Sequence, residues 1–327
     1  MRAVVINGVG GSEVFEVREV ETPEPVADQV RVRVRAAGLN RADLMQAAGH
    51  YPAPAGAPAD IPGLEFAGEV DAVGPRVSGG IKVGDRVFGI VAGGGLAEFV
   101  VTPERMAVVI PDRFDFETAA AVPEVFLTAH DAISARARLR PGERVLIHAV
   151  AGGVGSAAAQ IAHAMGCTVF GTSRTAEKLG AVRSLGVDLA IDSSTSDFAE
   201  IVRRETGGMG VHAIIDHIGG PALAANLDAL AIRGRLVVVG LLGGPTATMD
   251  LGMLLRKRIT IVGTTLRARP IEEKIAATRA FADHVVPWLE RGVVRPVVDR
   301  VYPFEGVREG LERVKSNLGF GKVVLRF

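Results

Sequence analysis

The sequence predicts an α/β protein of two domains, a doubly wound parallel sheet in the middle of the chain and an antiparallel, barrel-like β domain at its start. Three observations carry this. Between residues 145 and 262 short apolar runs alternate with helical segments, and the first of those runs passes directly into a glycine-rich turn and a helix. The first 110 residues hold short alternating segments cut by Gly and Pro instead.

In the middle of the chain, residues 145–147 (Val-Leu-Ile) read as a central buried strand, and the helix follows the turn. A second strand spans 168–172, a helix 176–185, a third strand 188–191 and a helix 196–205. The alternation continues through a strand at 211–216, a helix at 222–230 and strands at 235–240 and 259–262. Strand and helix at this spacing mean a parallel sheet covered on both faces.

The turn reads His148-Ala-Val-Ala-Gly-Gly-Val-Gly-Ser156. Gly152, Gly153 and Gly155 let the backbone turn tightly and approach a pyrophosphate, which the free N–H groups of the following helix would bind. A tight strand-to-helix turn needs glycine whether or not anything binds, so the repeated βα units around it are what favour a dinucleotide. An NAD site places Asp or Glu about 20 residues past the glycines, on the ribose hydroxyls. That window here is Gly171-Thr-Ser-Arg-Thr175, without a carboxylate before Glu177. Ser173, Arg174 and Lys178 supply hydroxyl and cationic groups suited to a 2′-phosphate, which favours NADPH over NADH. The alternative is a solvated i, i+4 pair at a helix start, where cations are mildly unfavourable.

In the first domain, Gln29-Val-Arg-Val-Arg-Val-Arg35 places apolar side chains on one face and arginines on the other, a half-exposed strand with a solvated arginine face. Residues 63–73, 85–91 and 97–101 continue the pattern, with a helix near 42–48. Tyr51-Pro-Ala-Pro-Ala-Gly-Ala-Pro-Ala-Asp60 is a surface loop, because its prolines remove donors and fix φ, and such a loop is placed to shape a substrate mouth. Gly93-Gly-Gly95 is a second flexible point. Residues 118–137 are helical and lead into the middle domain, 271–290 read as one helix, and 297–327 read strand, helix, strand, with 322–326 returning to the first domain. The expected divisions are 1–120, 121–266 and 267–327.

Composition narrows the class. The 327 residues are 48% hydrophobic and 23% charged, which suits a folded protein with substantial cores. Lys+Arg and Asp+Glu both count 37, so no overall field favours nucleic acid or an anionic membrane. Neither a signal peptide nor a membrane span is expected, and a single cysteine, Cys167, makes a reducing compartment, the cytoplasm, the expected location. Cys167 reads as inert core, and one thiol with seven dispersed histidines gives no zinc-site spacing, so no metal is expected.

Several motifs in order give the chain a resemblance. They are Gly38-Leu-Asn-Arg-Ala-Asp-Leu-Met-Gln46, Pro62-Gly-Leu-Glu-Phe-Ala-Gly68, Gly84-Asp-Arg-Val87, Ala119-Ala-Ala-Val-Pro123, Leu127-Thr-Ala129, the glycine turn and Gly319-Phe-Gly-Lys-Val-Val324. On these the chain resembles, over essentially its whole length, the zinc-independent quinone oxidoreductase branch of the medium-chain dehydrogenase/reductase superfamily, and within it the p53-inducible quinone reductase type. The resemblance implies a GroES-like β-barrel catalytic domain, a Rossmann domain and a cleft between them holding NADPH. The family's A-x-x-G-x-x-G pattern is matched by Ala149, Gly152 and Gly155. Where zinc-dependent relatives carry Gly-His-Glu, this chain has Leu64, and their structural-zinc cysteine lobe is absent.

Carried over by position, the resemblance implies that Asn40, Asp43 and Tyr51 line the nicotinamide end as the catalytic residues, Asn40 also binding the cofactor, with Thr128 near the domain crossing. Gly152, Gly153 and Val154 would hold the pyrophosphate and Ser173 and Lys178 the 2′-phosphate, with Ala151, Gly155 and Arg174 also among the cofactor-binding residues. Leu241, Leu242 and Gly243 with Thr265, Leu266 and Arg267 would form the nicotinamide side of the Rossmann domain, and Asn317 another cofactor contact. Asn40 and Asp43 could equally bond helix-start backbone, and Tyr51 could anchor a loop. The chemistry expected is hydride transfer to a quinone or conjugated enone, with Tyr51 or Asn40 donating to the developing oxyanion. Reduction of a 2-alkenal or enoyl-thioester C=C bond is the alternative, and a crystallin-like structural or RNA-binding protein the rival of another class. The strand near 260–262 could pair with its copy across a dyad, so a homodimer is expected.

Overall fold

The computed structural model describes residues 1–327, the side chain of Ala176 excepted. It contains two compact units, one of Met1–Leu127, Leu266–Gly292 and Pro296–Phe327, the other of Thr128–Thr265 and Val293–Arg295.

The second unit is built on six parallel strands in the order Leu189–Asp192, Thr168–Ser173, Arg144–Ile147, Val211–Asp216, Leu230–Val238, Thr260–Gly263. This is the 3-2-1-4-5-6 order of the Rossmann fold. The strand that precedes the glycine turn is central, and its Val145, Leu146 and Ile147 are fully buried because helices cover both faces. Leu146, Phe170, Ile214 and Leu236 from four neighbouring strands share one core with Val202 and Leu227 from the covering helices. One helix absent from the sequence reading, Leu251–Lys257, lies between the last two strands. Asp250 caps it by accepting the Gly252 N–H at 2.8 Å.

The first unit carries a seven-stranded sheet whose spine is the eleven-residue strand Gln29–Leu39. Val30, Val32 and Val34 point into the core with Phe66, Phe15 and Leu96, while Arg31, Arg33 and Arg35 take the other face. That face is less purely solvated than the alternation suggests. Arg31 pairs with Asp71 at 3.0 Å, Arg35 with Glu69 at 2.6 Å, and Arg31 and Arg33 lie over the Phe99 ring. The final strand Lys322–Arg326 runs antiparallel to Gln29–Leu39, so both ends of the chain build this unit. The expected all-antiparallel sheet needs correction, because Val298–Pro303 runs parallel to Lys322–Arg326. The intervening helix Val307–Ser316 crosses over and makes that pairing possible.

A further correction concerns the long helix expected over 271–290. It is two helices, Ile271–His284 and Val286–Arg291, broken at Val285, where Pro287 enters the first turn of the second helix and cannot continue the ladder of the first.

Candidate functional site

The glycine turn of the second unit lies at the carboxyl end of the central strand, beside the point where strand order reverses, the usual place for a ligand in an open parallel sheet. The turn is tight: Ala149 takes φ +49°, its carbonyl accepts from Gly152 N at 2.9 Å, and Val150 N bonds Thr172 O at 3.0 Å. A Cβ on Gly155 would fall 2.4 Å from Ala149 O, so glycine is required for the helix to pack on the turn. Gly152, by contrast, is exposed, and a Cβ there would meet only Ala149 O at 3.3 Å. Helix Gly153–Ala164 begins without a side-chain cap. Its first N–H groups and the open Gly152 backbone are therefore free to receive an anionic group.

Ser173 closes the neighbouring strand Thr168–Ser173, buried, with its Oγ accepting Thr175 N–H at 3.3 Å. Arg174 is exposed and Lys178 half-buried in the first turn of helix Ala176–Arg183. The structure thus groups these three just past the strand adjacent to the glycine turn. Thr128 is half-buried at the start of the unit, while Leu241, Leu242, Gly243 and Thr265 are exposed beyond the ends of the last two strands.

Beneath the turn runs a polar chain that sequence reasoning missed. His148 is 2% exposed. Its Nδ1 lies 2.9 Å from Thr172 Oγ1 and its Nε2 2.7 Å from Asn226 Oδ1, and Asn226 Nδ2 donates to Asp216 Oδ2 at 3.2 Å. Burial lowers the His148 pKa and raises that of Asp216. The neutral imidazole accepts from Thr172 and donates to Asn226. His217 faces the His148 carbonyl through Nδ1 at 3.1 Å, its pKa pushed down by burial to about 4. The legible signal was polar residues, His148 and Asp216, at the ends of two apolar strands.

The first unit assembles the catalytic candidates. Asn40 precedes helix Arg41–Ala47 in extended conformation, and Asp43 reaches back to accept Asn40 N–H at 2.8 Å and Gly63 N–H at 3.1 Å. Asp43 is fully buried, which raises its pKa to about 6 against those bonds. The Asn40 amide is held on both sides. Its Nδ2 donates to Glu65 Oε1 at 3.0 Å and Gly38 O at 3.2 Å, and its Oδ1 accepts from Lys322 Nζ at 2.7 Å. Both amide protons are engaged, so Asn40 presents a lone pair rather than a donor.

Glu65 and Lys322 are the groups the sequence reading passed over, though each stands in a quoted motif as a charge within an apolar run. They pair at 2.6 Å, both buried, and Glu65 Oε2 also accepts Glu124 N–H at 2.8 Å.

Tyr51 and Arg267 form a second contact in this unit. The guanidinium lies 5.1 Å from the Tyr51 ring centre and donates to Tyr51 O at 3.0 Å, Ala92 O at 2.8 Å and Gln46 Oε1 at 2.5 Å. Leu266 and Arg267 belong to the first unit, where the Arg267 side chain fastens the Tyr51 loop. Asn317 caps helix Val307–Ser316 in left-handed conformation, φ +58°, and its Oδ1 accepts from Arg41 at 2.5 Å. Among the described residues no group of three or more His, Cys, Asp or Glu could hold a metal ion.

Comparison with known proteins agrees with this architecture. Residues 26–112 match the alcohol dehydrogenase GroES-like domain and residues 153–283 the domain described as zinc-binding dehydrogenase. A quinone oxidoreductase of Pseudomonas aeruginosa is 40% identical over 321 residues, 97% of this chain and 96% of that one. A solved structure described as an NAD-dependent alcohol dehydrogenase superposes with a TM-score of 0.89 at 33% identity, covering 100% of both chains. A mycobacterial protein complexed with NADPH gives 0.89 at 29% identity, also covering 100% of both. The chain therefore belongs to the medium-chain dehydrogenase/reductase superfamily, in its zinc-independent quinone oxidoreductase branch, and is a reductase that uses a nicotinamide cofactor on a small molecule.

Proposed function

We propose that the chain is an NADPH-dependent, zinc-independent quinone reductase in which the second unit holds the cofactor and the first unit the acceptor. The observation that carries the cofactor choice is the end of strand Thr168–Ser173. Ser173, Arg174 and Lys178 follow one another where an NAD site would place a carboxylate. Ala151 to Gly155 would receive the diphosphate, and Thr128, Leu241 to Gly243, Thr265 and Asn317 are further cofactor candidates. Bound there, the reduced nicotinamide supplies a hydride.

The chain's own residues prepare the acceptor end. Two-electron reduction of a quinone by hydride leaves an oxygen carrying negative charge, and a nearby cation and hydroxyl stabilise it. Arg267, whose guanidinium spends its bonds on neutral oxygens, supplies positive charge, and the Tyr51 side chain packed on it supplies the hydroxyl. Asn40 fixes the Glu65–Lys322 pair and Asp43 fixes the backbone, so both act by holding the site in shape.

The test is NADPH oxidation by the purified protein with 1,2-naphthoquinone, 9,10-phenanthrenequinone, 2-hexenal and crotonyl-CoA, NADH serving as control. Quinone turnover with NADPH preferred is the expected result. Turnover of the alkenal or thioester alone would move the activity to double-bond reduction, and tight NADPH binding without any turnover would favour a structural role. The chain is also expected to form a homodimer, because Thr260–Gly263 is an edge strand with Ile261 37% exposed, and Leu255 in the preceding helix is 75% exposed. Sedimentation of the Ile261→Lys variant as a monomer would support that interface.

A further inference from the structure

We propose that Glu124 is the proton donor of the reaction, carrying a carboxylic proton that passes to the acceptor once hydride has arrived; this rests on the quinone reductase reading and deepens it. The neighbouring polar groups have no proton free to give. Asn40 has both amide protons engaged. Asp43 accepts two backbone N–H groups, one on each oxygen, and Glu65 is locked by Lys322, Asn40 and Glu124 N–H. Neither carboxylate can give or swing a proton without dismantling its bonds. The Glu124 carboxyl has no such engagement, since no group of the described residues hydrogen-bonds to it, and the residue is only half-buried.

Charge balance points the same way. The Glu124 N–H bonds Glu65 Oε2 at 2.8 Å, which sets the residue beside the Glu65–Lys322 pair, and its carboxyl feels the charges of Glu65, Lys322, Asp43 and Arg267. Two carboxylates and two cations already neutralise one another, so a third carboxylate beside Glu65 would leave a net negative charge where the residue is only partly open to water. Burial and then repulsion from Glu65 raise the Glu124 pKa to about 8, against the attraction of Lys322 and Arg267. Its position in the first turn of helix Pro123–His130 would favour the anion, but by less than burial disfavours it. Near neutral pH Glu124 therefore carries a proton, and a pKa near the working pH is what general acid catalysis needs.

The step balances simply. Hydride adds two electrons and one hydrogen to the quinone and leaves a hydroquinone monoanion. The Glu124 O–H bond breaks, the second hydroquinone O–H bond forms, and the resulting carboxylate takes a proton from water at the exposed side of the residue.

The experiment compares the full-length wild type with Glu124→Gln and Glu124→Asp in two ways. The first is kcat against pH with NADPH and 1,2-naphthoquinone, or 2-hexenal if only that is reduced. Wild type should lose rate above about pH 8. Glu124→Gln should fall about 100-fold and lose that limb, with partial recovery in Glu124→Asp. The second is thermal unfolding of the cofactor-free protein against pH. Wild type should lose stability between about pH 5 and pH 8 as the unfolded chain releases the Glu124 proton first, and Glu124→Gln should lack that loss. An active wild type whose rate and pH profile survive in Glu124→Gln overturns this proposal alone, as does an unchanged stability profile. A wild type inactive on every acceptor overturns the quinone reading and this one together.

Discussion

Lys322 Nζ stands 2.6 Å from Glu65 Oε1, with 5% of the Lys322 side chain and none of the Glu65 side chain exposed. Gly38 makes the space, since a Cβ there would lie 2.1 Å from Glu65 Oε1. A pair buried this deeply gains little over apolar residues of the same shape, because its attraction is spent on desolvation. Removing one partner is a different matter, as it strands the other charge.

Lys322→Met is therefore expected to destabilise the protein by about 3–5 kcal/mol. The double variant Lys322→Met with Glu65→Leu should recover a substantial part of that loss. Urea unfolding of the three proteins checks both expectations. A single variant as stable as wild type would mean that Glu65 does not carry its charge unpaired in the fold.

The glycine turn gives two substitutions with opposite signatures. At Gly155 an added methyl meets backbone at 2.4 Å, from Ala149 O, and Gly155→Ala should cost about 1–3 kcal/mol through overpacking. At Gly152 the nearest atom is 3.3 Å away, so Gly152→Ala should fold normally and lose NADPH affinity because the methyl stands where phosphate approaches. Thermal melts paired with NADPH titration separate the two. Unchanged NADPH binding by Gly152→Ala would place the diphosphate elsewhere.

What was legible in the sequence followed from local physics. Strand-to-helix alternation and buried apolar runs place the parallel sheet, and the valines of Gln29–Leu39 alternate as they pack. The parallel pairing of Val298–Pro303 depends on a long crossover, which no local pattern encodes. The Glu65–Lys322 pair joins residues 257 positions apart, and the His148–Asn226–Asp216 chain draws on three elements. The attachment of Arg267 to Gln46, Tyr51 and Ala92 was not legible, because it depends on which unit the chain re-enters at Leu266.

Cofactor choice can be read by removing the two cations that follow Ser173. In Arg174→Ala with Lys178→Ala, NADPH should bind about 10- to 100-fold more weakly, the size of one charge-assisted hydrogen bond lost from a phosphate. NADH, which lacks that phosphate, should be nearly unaffected. Isothermal titration with both nucleotides measures the ratio, and equal weakening of the two would show that these residues do not contact the 2′ position.

The buried imidazoles should make the fold acid-labile in a defined window. His217 has a folded pKa of about 4, whereas an unfolded chain protonates histidine near 6.5. Between these values the unfolded state binds more protons, so stability falls as pH is lowered from about 6.5 towards 4. The slope is at most about 1.4 kcal/mol per pH unit for one histidine. His148, lowered by burial, adds in the same direction, while Asp216, raised by burial, opposes it. Comparison with His217→Asn isolates one contribution, since the variant leaves the other two groups in place and should flatten the slope in that window. Denaturant unfolding at a series of pH values reads it directly. Identical slopes for wild type and variant would show that His217 titrates in the folded protein as it does in water, with its Nε2 hydrated rather than enclosed.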